Sequence, residues 1–174
     1  YNTAYGITAL DAITTGDKNT AIGNAAGTAI TEATDSVLIG YETGAAITTG
    51  VKNVAVGSFA LDAANTGQEN TAIGHQALTA DTKGQRNVAV GAGALGTQNF
   101  TSATNSYNIG VGYNAGNLIT TGQSNTLIGA LAGDGFDTES NNLAIGQAAL
   151  GGAVAGGEYN VAIGNNTLDA LTSA

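Results

Sequence analysis

Acid–base, nucleophilic or metal chemistry in this chain has few side chains to draw on: one histidine (His75), four basic residues (Lys18, Lys52, Lys83 and Arg86), thirteen carboxylates and no cysteine. Without cysteine there is neither a disulfide framework nor a thiolate metal site. Catalysis needs a base, a group that orients it and a pocket. His75 recurs in a position that other parts of the chain fill with Tyr41, Ser58, Tyr113 and Gln147. A position so indifferent to side-chain type reads as exposed surface. The carboxylates are scattered through turn-like segments and not paired as a glycosidase requires. The segment Asp134–Glu139 has a loose calcium-loop character, but lacks the alternating oxygen donors of an EF-hand and reads as a solvated acidic turn. The expectation is a chain that is not an enzyme and holds no cofactor or metal. The net charge of −9, with every basic residue before position 87, leaves no basic patch and excludes nucleic acid as a partner. No apolar run reaches membrane-spanning length, so no membrane insertion is expected, and no signal peptide is evident.

What must position these side chains is a repeat. The pattern is Asn, a small or β-branched residue, a small residue, Ile or Val, then Gly. It ends at Gly6, Gly23, Gly40, Gly57, Gly74, Gly91, Gly112, Gly129, Gly146 and Gly164, a nearly constant spacing. The leading Asn recurs as Asn2, Asn19, Asn53, Asn70, Asn87, Asn108, Asn125, Asn142 and Asn160, with Ser36 as the one substitute. A Thr-Gly turn often precedes the next motif. Such a period signals stacked units that share one continuous core. With 27 glycines and only nine aromatic residues, the core must be thin, uniform and built from Ala, Ile, Val and Leu. A unit of this length is too short for a strand–helix pair. It suits a coil with two short strands. The predicted fold is all-β: a parallel β-solenoid of ten coils with a repeat of roughly 17 residues, the sequence signature of a stacked array. It forms a single repeat domain over residues 1–174.

The motif strand is apolar on both faces. Ile22, Val56, Ile73 and Ile128 lie on one face and Ala21, Ala55, Ala72 and Leu127 on the other. A coil interior covers only one face, and a strand apolar on both is normally buried on both. Another copy of the chain is the expected cover. Leaving ten Ile/Val-type side chains bare would cost on the order of 15–20 kcal/mol.

Three smaller patterns add expectations. The residues before the motif Asn, namely Lys18, Asp35, Lys52, Glu69 and Arg86, alternate in sign and should pair along one edge. The side chains of Asn19, Asn53, Asn70, Asn87, Asn108, Asn125, Asn142 and Asn160 should form a structural amide ladder at a corner. The one long spacing, from Gly91 to Gly112, inserts four residues near 96–107. It reads as a bulge between coils or as a recognition loop whose receptor contacts would be Phe100 and Tyr107.

The segments NTAIGNAAG (19–27), NVAVGSFAL (53–61), NTAIGHQAL (70–78) and NVAIGNNTL (160–168) resemble the head repeats of YadA-like trimeric autotransporter adhesins and the related repeats of phage tail fibres. The resemblance implies a left-handed β-roll that trimerises along its length, outside a bacterial cell or on a virion. It implies a structural, adhesive rod for a host-cell or surface receptor, protein or glycan, and a chain that is a fragment of a longer fibre or adhesin. The alternatives are an extracellular filament subunit that stacks end to end, and an ice-binding solenoid.

Overall fold

The computed structural model describes residues 1–152 and 157–169. The last part of the expected 1–174 domain, residues 170–174, and residues 153–156 lie outside it. The chain is a parallel β-solenoid. Its strands are β1 (Thr3–Tyr5), β2 (Thr20–Ile22), β3 (Val37–Ile39), β4 (Val54–Val56), β5 (Thr71–Ile73), β6 (Gly84–Gln85), β7 (Val88–Val90), β8 (Thr104–Asn105), β9 (Ile109–Val111), β10 (Thr126–Ile128), β11 (Leu143–Ile145) and β12 (Val161–Ile163). The ten three-residue strands form one sheet in the order β1-β2-β3-β4-β5-β7-β9-β10-β11-β12. Each motif residue pairs with its equivalent one coil later, as in Ala55↔Ala72 and Val56↔Ile73. Ten strands make about nine turns. At ~4.8 Å per strand the sheet is ~43 Å long. The two short strands β6 and β8 pair at another corner, beside the insertion.

Apart from β6 and β8, the second strand expected in each coil does not form among the described residues. After the motif glycine the chain turns through left-handed residues at the second and fourth positions, such as Gln76 (φ 55°) and Leu78 (φ 51°). Left-handed backbone costs roughly 1–2 kcal/mol for a non-glycine residue. Burying a leucine contributes about as much. Leu61, Leu78, Leu95 and Leu150 are fully buried by this turn. Positive φ explains the motif glycine itself, as at Gly74 (φ 136°). It does not explain the Thr-Gly glycines, for which packing is the reason. A Cβ on Gly50 would stand 2.1 Å from the carbonyl oxygen of Gly67, one coil on.

The interior is filled by side chains of complementary size. Where the turn leucine is present, the strand centre is small, as in Ala55 with Leu61 and Ala72 with Leu78. Where the turn residue is Gly27 or Gly44, the strand contributes Leu38, whose methyl groups lie 2.7–2.9 Å from a Cβ built on either glycine. Gly116 and Gly133 accommodate Leu127 in the same way. Replacing Leu38 by Ala should therefore cost about 2–5 kcal/mol. Adding Gly44→Leu, which recreates the Ala–Leu arrangement of neighbouring coils, should recover at least half of that loss in chemical denaturation. Two losses that simply add would contradict this packing.

Candidate functional site

The coils are most individual around the insertion, and the cause lies in the core. A third interior column runs through Ile30, Ile47, Ala64, Ile119 and Phe136, all buried. Between Ala64 and Ile119 this column holds Asp81 and Gln98, equally buried. Gln98 Nε2 donates to Asp81 Oδ2 at 2.5 Å. Asp81 Oδ1 accepts from the backbone N–H of Gly84 at 2.8 Å, Phe100 at 3.2 Å and Lys83 at 3.3 Å. Gln98 Oε1 accepts from Asn108 Nδ2 at 2.8 Å, and the same Asn108 amide donates to the Gly122 carbonyl at 2.7 Å. One polar network thus joins the turn before β6, the start of the insertion and the asparagine column. Burial pushes the Asp81 carboxyl above its ordinary range, outweighing the hydrogen bonds from Gln98, Gly84, Phe100 and Lys83.

This network sets the posture of the expected recognition loop. Phe100 is a correction: it is buried, and its carbonyl accepts from Thr82 Oγ1 at 2.9 Å. The residue anchors the loop and offers no surface to a receptor. Thr101, Ser102 and Ala103 form the exposed tip. Tyr107 is exposed as expected; its hydroxyl accepts from Arg86 Nη1 at 3.0 Å, and the guanidinium carbon lies 5.8 Å from its ring centroid. Sequence reasoning missed Asp81 and Gln98. Their signal was their replacement of Ile at the seventh residue after the motif glycine.

The charge column closes at one step only. Arg86 Nε pairs with Glu69 Oε2 at 2.9 Å and holds that carboxyl below its usual range. Asp35 instead accepts from Thr34 Oγ1 at 3.1 Å. Among the described residues the other ion pair joins the N-terminus to Asp17. His75 is exposed, with its ring 6.2 Å from that of Phe59, which in turn meets Tyr41 edge-on at 5.3 Å. In the acidic turn Glu139 Oε2 accepts from the N–H groups of Asp137 and Thr138, and Asp137 accepts from the Thr120 hydroxyl. No group of three or more His, Asp or Glu side chains among the described residues is placed to hold a metal ion. Nor is any helix among them long and apolar enough to cross a membrane.

The ten-stranded sheet presents one continuous outer face. The strand centres, such as Ala21, Leu38 and Leu127, point inward and are fully buried. The flanking Ile/Val and Thr/Val columns point outward. Stacking covers part of them, leaving Ile22, Ile73 and Ile128 at 38–39% exposure. Scaled by that fraction, the apolar burial still open to a partner is on the order of 6–8 kcal/mol, below the expectation for bare side chains.

Comparison with protein-family models, curated proteins and solved structures finds no match to this chain.

The folded chain binds a proton at Asp81 more tightly than the unfolded chain does. The stabilising contribution of Asp81 is therefore fully present below the ordinary carboxyl range, and is lost as pH rises through the raised value. Asp81→Asn removes this titration. The stability of the native chain relative to Asp81→Asn should improve on acidification from neutral pH toward pH ~4. A difference that stays flat across that range would show that burial does not outweigh the hydrogen bonds in setting the Asp81 carboxyl.

Proposed function

We propose that this chain is a structural and adhesive rod: a segment of a trimeric fibre or adhesin head, of the YadA-like or tail-fibre kind, that displays a receptor-binding surface outside a bacterial cell or on a virion. The observation that carries the reading is the outer sheet face. Each three-residue strand turns its first and third side chains outward, and the third column is almost entirely Ile or Val. The result is an apolar strip ~10 Å wide and ~43 Å long. A contiguous apolar strip of this extent on a soluble protein commonly marks an interaction surface. Its narrowness suits a shared axis, where each chain contributes one identical strip and closed symmetry buries all of them together. The similarity of segments such as 53–61 and 70–78 to trimeric adhesin repeats supports three as the number of chains. The varied surface columns at the corners then remain outside the bundle, free to meet a receptor. Side chains with catalytic potential are dispersed, which supports a non-enzymatic role.

Sedimentation equilibrium at micromolar concentration should give three times the chain mass of 17.0 kDa. Replacing Ile73 and Val90 by Asp should shift the mass toward one chain while the β-type circular dichroism persists. A native chain that sediments as a monomer overturns the proposal.

A further inference from the structure

A second surface feature lies away from the sheet, on the corner that follows the motif glycine. The second and fifth residues after that glycine form two columns. On the coil of Gly74 these are Gln76 and Thr79; on the coil of Gly112 they are Asn114 and Asn117. The coil between them carries Gly93 and Gly96, and the two missing side chains leave an open cleft of about 260 Å³ between the neighbouring walls.

Backbone conformation does not demand glycine at 93. Gly93 has φ 68°, while Gln76, Asn114, Leu131 and Phe59 hold the same position on other coils at φ 50–59°. What glycine provides is room, into which the amide tips of the following coil lean from one side. A Cβ on Gly93 would stand 2.1 Å from Asn114 Oδ1, and one on Gly96 would stand 2.5 Å from Asn117 Oδ1. The carboxamides of Gln76, Asn114 and Asn117 make no hydrogen bond within the described chain. Thr79, which lines the cleft, donates its hydroxyl proton to Asp62 Oδ1 at 2.5 Å, leaving its oxygen with acceptor capacity only. No charged side chain lines the cleft.

A carboxamide presents an acceptor beside two donors. Adjacent hydroxyls of a sugar ring, each both donor and acceptor, complement that arrangement without needing charge. The aromatic run Tyr41–Phe59–His75 leads up to the cleft. Phe59 occupies the same column as Gln76 one coil earlier, ~4.8 Å along the rod, and His75 directly precedes Gln76. Aromatic rings offer an apolar platform for the C–H face of a neighbouring sugar. We infer that the cleft over Gly93 and Gly96 is a binding site for a neutral oligosaccharide, with one sugar between the amide walls and the next toward Phe59. The biological use of this site rests on the adhesive-rod reading; its chemistry does not.

The test is an array of immobilised oligosaccharides, some neutral (hexose- and N-acetylhexosamine-terminated) and some sialylated or sulfated, probed with the full chain. The native chain should bind neutral members. Gly93→Gln, which refills the cleft with a side chain that this backbone position already accepts in Gln76, should weaken binding at least tenfold. Asn114→Ala should weaken it several-fold, as should Phe59→Ala, each with sedimentation mass unchanged. Equal binding by the native chain and Gly93→Gln, preference for charged glycans, or no neutral glycan bound would each overturn the site. Because mass is measured on the same samples, failure of the cleft is distinguishable from failure of the rod: an intact trimer without glycan binding removes only the cleft.

Discussion

The structure depends on one side chain that bonds in two directions. Most motif Asn residues send Nδ2 to a carbonyl fourteen residues later, closing their own coil, as in Asn53 to Gly67 and Asn70 to Gly84, both at 2.9 Å; Asn87, which opens the lengthened coil, instead sends Nδ2 back to Asn70 Oδ1. The Oδ1 of a motif Asn accepts the backbone N–H of the Asn that opens the next coil, as in Asn70 to Asn53 and Asn87 to Asn70, both at 3.0 Å. Without this bond a buried N–H would have no partner, at a cost of about 1–3 kcal/mol. Because most steps use the same pair of bonds, a coil that slips out of register loses both. The ladder tolerates two departures. At Ser36 the hydroxyl oxygen replaces Oδ1 and accepts from Asn53 N–H at 3.2 Å. At the insertion Asn87 Oδ1 accepts from Ser106 Oγ and Asn108 N–H, while Gln98 extends the network inward.

Once register is held from inside, the outer positions are free to differ. The strand-centre and turn columns exchange volume between Ala–Leu and Leu–Gly arrangements without changing the coil. The columns after the motif glycine carry Tyr, Ser, His, Ala or Gln on one unchanged backbone. A rod of this kind separates the residues that build it from the residues it displays. Its two special places, the Asp81–Gln98 network and the cleft over Gly93 and Gly96, lie on adjoining coils, so the insertion and the cleft form one differentiated zone near the middle of the chain.

Much of the fold is legible in the sequence because each interior column reports its own position once in every coil. Period, parallel stacking and the doubly apolar strand follow from Asn, Ala and Ile spacing alone. The left-handed turn at Leu61 or Leu78 is not legible, since an apolar residue after a strand reads as more strand; only the burial it achieves offsets the conformational cost. The charge column misleads because pairing depends on reach. The long Arg86 side chain meets Glu69, whereas the short Asp35 carboxylate is taken by its neighbour Thr34. Phe100 misleads because a loop aromatic looks available until the backbone bonds around Asp81 draw it inward. The cleft is hidden because it consists of what two glycines lack.

Hydrogen exchange at the ladder amides tests the central claim most directly. In Asn70→Leu the N–H of Asn87 loses its acceptor while the strands on either side remain. Its protection should fall at least tenfold, whereas Asn19 N–H, three coils away from the substitution, keeps its own bond to Asn2 Oδ1 and its protection. Asn70→Ser should restore much of the protection, as Ser36 does naturally. Unchanged exchange at Asn87 in Asn70→Leu, or an equal fall at Asn19, would contradict a ladder that holds the coils in register one step at a time.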